Sequence, residues 1–358
     1  MCAQFLPGIN QFEVENARLI LLDKDGNRKG VLKGEVARRE RDGNISIDNA
    51  ELVIEREKDS FVLRADSFVY KPSTHNFTCD SGLTADLPDG GLLTIPKGAG
   101  ELYYTDGIEL KLTSAGDAKL RSGAEGSELV NASIADSTIY VKLIENDGKQ
   151  DVKEDERFLL DQVLISGSRG GELKLRLAHL PEIGPKEDDK GAVANVSCFG
   201  DVKLAVTDRA SRADLHMLRR ASMALESDSR RFEMSSNQLD IRGTILRKTN
   251  EDTKDTGKKD EKEKDGQTLQ ASLTDLAIDA YQNVRIVGDE FDGGSSFLRY
   301  REFGDRRDVR LEGDPTLTLR QEITDDNEHP RIELRARDYM NVQIPQGIVG
   351  GAPAQIST

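Results

Sequence analysis

Histidines, cysteines and paired carboxylates are the residues from which most catalytic and metal sites are built, and this chain spaces them too far apart to make one. Its four histidines, His75, His179, His216 and His329, occur singly, with no His-x-x-x-His pair and no Cys-x-x-Cys to suggest zinc. Adjacent acids such as Asp188-Asp189 and Asp325-Asp326 fall among 65 aspartates and glutamates, so they arise by number alone and mark neither an acid/base couple nor a calcium site. There is no Gly-x-Ser-x-Gly, phosphate-loop or dinucleotide motif, and the glycine-rich run Gly167 to Gly171 reads as a turn before a strand. The expectation is a protein that is not an enzyme and uses no metal and no cofactor.

Of the three cysteines, Cys2 sits next to the initiator and reads as incidental. An oxidising compartment would allow a Cys79–Cys198 disulfide. Cys79 occupies an apolar, core-facing position where a free thiol packs well, which favours the unpaired state.

The chemistry left to the chain is that of apolar burial. The stretch Ser296 to Arg320 contains two alternating runs and two turn signals: an extended run to Phe303, a polar turn, Val309-Arg310-Leu311, a break at Gly313-Asp314-Pro315, then Leu317 and Leu319. The same unit occurs at Ser67 to Cys79 and at Ser222 to Met234. Those two align without a gap, so that Met223 matches Phe68, Leu225 matches Tyr70, Phe232 matches Phe77 and Met234 matches Cys79. A looser copy lies at Gly34 to Ile47 and a further one begins at Arg331. Repeated units that cannot bury an apolar face alone imply a shared, continuous core.

Short hairpins fill the intervals. Turns at Lys24 to Asn27, Asp42 to Asn44, Arg56 to Asp59 and Pro88 to Gly90 each separate alternating runs, and Leu173 to Leu177 and Ile332 to Ala336 alternate strictly. Helical signals are scarce; the best is Asp208 to Leu225, whose end the Ser222 repeat overlaps, so strand is preferred there, with a short helix at Arg209 to Arg219 as the alternative.

Composition fits half-wet strands: 36% apolar, 5% aromatic, no tryptophan and 32% charged residues leave a lean core, as when every second strand residue faces water. A net charge of −15 argues against a nucleic-acid partner and against direct contact with anionic membrane faces. No apolar run reaches the roughly 18 residues of a membrane span, and the first residues have neither a charged start nor a long apolar stretch.

A strand ending Ala65-Asp66-Ser67-Phe68-Val69-Tyr70, and a later strand Val309-Arg310-Leu311-Glu312-Gly313-Asp314-Pro315, resemble the OstA-type bridge domains of lipopolysaccharide transport. Residues Asn16 to Gly26 and Val31 to Ala37 are similar to the LptC branch of that group. The likeness covers 12–112 and 268–340, and the middle only through the Ser222 copy. It implies an all-β, elongated β-jellyroll: a V-shaped stack of antiparallel strands with repeated hairpin units, a greasy interior for acyl chains and open end strands that join neighbouring jellyrolls. On that frame 1–11 is a tail, 12–180 an LptC-like half, 181–190 a polar loop, 191–344 an OstA-like half carrying a charged insertion at 249–267, and 345–358 a flexible tail. Alternation then points Leu63, Phe68, Tyr70, Phe77, Cys79, Leu110, Leu112, Met223, Leu225, Phe232, Met234, Phe297, Val309, Leu311, Leu317 and Leu319 inward, as a lipid groove or as ordinary core.

The partners so implied are lipopolysaccharide or a similar multi-acyl lipid and other jellyroll bridge components, docking on the edge strands Phe12 to Asp23 and Arg331 to Gln343. The implied location is the periplasm, although the N-terminus read literally would keep the chain in the cytoplasm. The alternatives are a structural β-scaffold without a lipid and a carbohydrate-active parallel β-helix, against which the hairpin turns count.

The insertion Thr249 to Gln267 contains no apolar residue, so it cannot offset its own ordering entropy and is expected to be disordered. Replacing it with a short Gly-Ser linker should leave the melting temperature within a few degrees, since the loop-entropy difference is on the order of 1 kcal/mol. Loss of cooperative unfolding on deletion would show that the segment packs.

Overall fold

Alternation along the chain is realised as strands. The computed structural model describes residues 12–22, 26, 28–55, 60–74, 76–79, 81–87, 91–104, 107–122, 128–145, 158–177, 192–207, 211–226, 232–248, 270–288, 291–303, 306–320, 331–345 and 355–357. The tail 1–11, the loop 181–190 and the insertion 249–267 lie outside them, as do His75, His179 and His329. Among the described residues the protein is all β with no helix, and the helical candidate at Arg209 to Arg219 falls largely in a strand.

In chain order the strands are β1 (Phe12–Leu22), β2 (Arg28–Arg39), β3 (Ile45–Glu55), β4 (Ser60–Lys71), β5 (Asn76–Cys79), β6 (Leu83–Asp86), β7 (Leu92–Ile95), β8 (Gly98–Tyr104) and β9 (Gly107–Ser114). There follow β10 (Ala118–Arg121), β11 (Val130–Ile134), β12 (Ser137–Glu145), β13 (Phe158–Gly167), β14 (Gly171–Leu177), β15 (Ala192–Cys198), β16 (Val202–Thr207), β17 (Arg212–Glu226) and β18 (Phe232–Lys248). The last are β19 (Gln270–Gly288), β20 (Phe291–Phe303), β21 (Arg306–Glu312), β22 (Thr316–Arg320), β23 (Arg331–Arg335), β24 (Tyr339–Pro345) and β25 (Gln355–Ser357).

Two compact units divide the chain. The first comprises Met1–Ala124, Ala132–Ser168 and Ala205–Ala210; the second comprises Glu125–Asn131, Arg169–Leu204 and Ser211–Thr358. The first thus takes in 12–122 and 132–168 but not the stretch from Arg169 to 180, which the sequence had grouped with it.

In the first unit β1 to β4 form an antiparallel meander. β4 then divides its attention: Val62–Arg64 pair with β6, while Val69–Lys71 pair with β5. In the second unit β17 to β20 form the meander, and β20 divides in the same way, with Phe291–Gly294 against β22 and Phe297–Phe303 against β21. The repeated units are therefore equivalent in register: Tyr70 faces Phe77, and Leu225 faces Phe232. The ladders of both meanders are antiparallel, and the parallel pairing of β14 with β19 is the single bridge Leu177 to Leu273, which is not the ladder of a parallel β-helix. The C-terminal tail is not wholly loose, because β25 pairs with Asn341–Gln343 of β24.

In each meander the ladder breaks along a line that crosses its strands, the kind of irregularity at which strands bend. In the first unit the line passes through Asn16, Gly34-Glu35, Asn49 and Asp66, where the ladder skips a step. Asn16 and Asn49 take φ of 51° and 48°, the left-handed region that asparagine tolerates better than most residues. The Asn49 amide donates to Glu35 Oε2 at 2.6 Å and ties adjacent strands at the bend. In the second unit the line passes through Arg219-Arg220, Asn237, Gln282-Asn283 and Ser296; the two-residue steps on β17 and β19 oppose single residues on β18 and β20. All four residues of the two-residue steps have φ between 54° and 64°. The hydroxyls of Ser236 and Ser295 donate two residues ahead, to the carbonyls of Gln238 and Phe297, at 2.7 and 2.9 Å.

These steps set which side chains are buried. A single-residue step inverts the alternation, so β3 buries Ile45 and Ile47 before Asn49, and Ala50, Leu52 and Ile54 after it. A two-residue step preserves it, so β19 buries Ile278 and Ala280, then Val284 and Ile286. The outer faces carry charge: Lys33, Glu51, Arg64 and Asp86 form an ion-pair ladder across β2, β3, β4 and β6. Exposed pairs of this kind contribute little stability each.

Gly34 is confined by packing at the bend. A Cβ there would lie 2.1 Å from Ile47 Cγ2 and 2.9 Å from the Asp48 carbonyl oxygen, whereas at Gly294 the closest neighbour would be at an ordinary 3.4 Å. G34A should therefore lower the free energy of unfolding by about 1–3 kcal/mol through overpacking, with G294A within about 0.5 kcal/mol of the parent in urea titration. Equal effects at the two positions would contradict the steric account.

Candidate functional site

Most residues expected to point inward do so. In the first unit Leu63, Phe68, Tyr70, Phe77, Cys79, Leu110 and Leu112 are buried, and the rings of Phe68 and Phe77 meet at 5.2 Å in a tilted contact. Burial raises the Tyr70 phenol above its ordinary pKa. In the second unit Met223, Leu225, Met234, Leu311 and Leu317 are buried, and Phe232 and Val309 are half-buried. Phe232 packs against Phe291 with centroids 6.3 Å apart. The side chain of Leu319 lies outside those described. Cys79 and Cys198 are both buried free thiols, so the disulfide does not form; burial, foremost, pushes the Cys198 thiol up.

Phe297 requires correction. The inward side chains of its strand are Leu298 and Tyr300, both buried, while Phe297 lies half-buried on the opposite face. The cause is the single-residue step at Ser296. Before it, Gly293 faces the core, since a Cβ there would touch Ile286; after it, the parity is inverted and Leu298 faces Leu311 across the ladder.

On its true face Phe297 belongs to a polar platform that sequence reading missed. Tyr281, Phe297, Glu312 and Tyr339 share one cross-strand row over β19, β20, β21 and β24. The Tyr281 and Phe297 rings stack at 4.9 Å, and the guanidinium of Arg299 lies 5.2 Å from the Phe297 ring. Arg310 sits over Tyr339 at 5.0 Å.

Behind this row lies Asp279, whose side chain is 2% exposed although it is on the solvent side of the sheet. It is covered by arginines. Arg301 Nη2 donates to both carboxylate oxygens at 2.9 and 2.7 Å, Arg242 Nη2 donates at 2.7 Å, and Arg299 Nε donates at 3.2 Å. Burial is the largest single influence and would raise the Asp279 pKa, but the bonds and charges of Arg301 and Arg299 together outweigh it and hold the carboxyl below its ordinary range. One position across the ladder, Asp240 takes the imidazole of His216 on one oxygen and the Gln238 amide, at 3.1 Å, on the other. Two facing carboxylates are thus each given their own donors. With its oxygens occupied by guanidinium groups, Asp279 is a lock between β18, β19 and β20 rather than a proton acceptor.

No protein-family model matches the chain, and no curated protein and no solved structure matches it.

Replacing Asp279 by asparagine keeps the shape and removes the charge, which should destabilise the second unit by about 2 kcal/mol or more at neutral pH. Because the folded pKa is depressed, this contribution is complete above the unfolded carboxyl value near 4 and is lost as pH falls through the folded value. The difference in urea midpoint between parent and D279N should therefore be constant from pH 7 to about 5 and shrink below about pH 4. A difference that does not vary with pH would show that the charge is not what locks the strands.

Proposed function

We propose that the protein is a non-enzymatic carrier or bridge module for a multi-acyl lipid of the lipopolysaccharide type, working in the periplasm. The observation that carries this reading is the continuous apolar face that each meander keeps buried on both sides of its ladder steps. Phe68, Phe77 and Leu110 line that face in the first unit; Leu298, Tyr300 and Leu311 line it in the second. Acyl chains placed against such a wall gain roughly 0.8 kcal/mol per buried methylene, which suits a ligand with many of them. The likeness to bridge domains of lipopolysaccharide transport points the same way.

Association with other jellyroll components fits β1. This strand pairs with β2 and carries Val14, Ile20 and Leu22, each at least 40% exposed. Apolar side chains on a terminal strand suit addition of a strand from a neighbour, which supplies main-chain bonds as well as cover.

A structural scaffold is the second reading. It is favoured by the completeness of burial without any ligand: Phe61 and Leu63 have no measurable exposure. A photo-crosslinking amino acid at Phe68, Leu298 or Tyr300, with Arg310 as the outward control, separates the two. Lipopolysaccharide adducts are expected at the inward positions and not at 310. Folded variants that give no adduct at any inward position would leave the scaffold in place of the carrier.

A further inference from the structure

The most exposed large apolar side chain of the described residues is Phe199, at 75%. It stands at the tip of the turn Phe199-Gly200-Asp201 between β15 and β16, where the bend line of the second unit reaches its end. Its amide donates to the Arg219 carbonyl at 3.0 Å, and Leu218 donates back to the Asp201 carbonyl at 2.9 Å. On the other flank Gly170 donates to the Gly200 carbonyl at 2.8 Å, which brings the turn of Arg169 alongside. A Cβ on Gly200 would lie 2.8 Å from Arg219 Cδ, so the stem of Arg219 runs across the tip. Arg169, Arg219 and Arg220, in the segments bonded to this turn, are all exposed, and Asp201 is the acid within the turn.

We propose that this tip is a membrane-contact point: Phe199 enters the interface of an anionic bilayer while Arg169, Arg219 and Arg220 bind the phosphate headgroups. An exposed aromatic ring with exposed arginines in the neighbouring segments matches that interface in both polarity and charge. The protein's overall charge of −15 does not forbid it. Screening at physiological salt limits each charge to about 8 Å, so the surface meets the local arginines and not the net charge. The bonded turns hold the tip in place, and Arg219 and Arg220, at left-handed φ of 64° and 54°, are both exposed. The contact is independent of whatever the apolar interiors carry.

The chain contains no tryptophan, so F199W in the full-length protein places the one tryptophan at the tip, where it can be excited apart from the tyrosines. Vesicles of phosphatidylcholine with phosphatidylglycerol should shift its emission to the blue, and raising the salt should reverse the shift. Vesicles of phosphatidylcholine alone should leave the emission unchanged. In the same background R219Q and R220Q should each weaken partitioning about five-fold, the worth of one basic residue near an anionic surface. R169Q, which leaves the bend untouched, tests the charge if the bend variants fold poorly. An emission maximum that does not move with either vesicle, moves equally with both, or moves regardless of the arginine replacements would overturn the proposal.

Discussion

Everything in this fold depends on how a long strand turns a corner without losing its ladder. A straight strand presents one face for its whole length, and a sequence with 32% charged residues alternating with apolar ones could then bury only one side of a flat sheet. The bend lines at Asn16, Gly34 and Asn49 in one unit, and at Arg219-Arg220, Asn237, Gln282-Asn283 and Ser296 in the other, allow the same strands to enclose a core. Left-handed conformations at arginine and glutamine cost roughly 1–2 kcal/mol each, so they persist only where neighbouring strands hold them. Here the holding is visible in the serine hydroxyls that bond two residues ahead on β18 and β20.

Asp279 shows the same coupling between geometry and charge. Burial of an isolated carboxylate would be prohibitive, but the register of β18 to β20 sets Arg242, Arg299 and Arg301 at neighbouring positions from which all reach one residue. The partly exposed arginines keep much of their hydration while the aspartate gives up its own. That asymmetry makes the cluster a fastener rather than a reactive centre.

Much of this was legible in the residues. Two-residue alternation, the Asp42-Gly43-Asn44 turn and the gapless match of Ser67–Cys79 to Ser222–Met234 lead directly to paired hairpins, and Tyr70 and Phe77 face each other just as Leu225 and Phe232 do. Reading failed where parity was carried through a bend. Matching Ser296 to Ser67 put Phe297 in the place of Phe68, but Ser296 holds the step that Asp66 holds in the first unit, so the buried counterpart of Phe68 is Leu298. The arginine cover of Asp279 was not legible either, because its members lie on three strands separated by up to several tens of residues, and in a chain with 50 basic and 65 acidic residues no spacing singles them out.

The positions that break alternation are also those where side chains of unusual type stand clear of the sheet. A two-residue step keeps the core parity intact on both arms, so its two side chains are released from packing and can be of any kind. At Gln282-Asn283 the released side chains are neutral, and Gln282 accepts from the Asn237 amide at 3.3 Å. At the homologous step on β17 they are two arginines beside an exposed phenylalanine. Folding requires only that the step exist, not that it be cationic. The difference between two steps of the same geometry therefore has no source in the core, and the residues at Arg219 and Arg220 are more readily explained by what they meet outside the protein than by what they support within it.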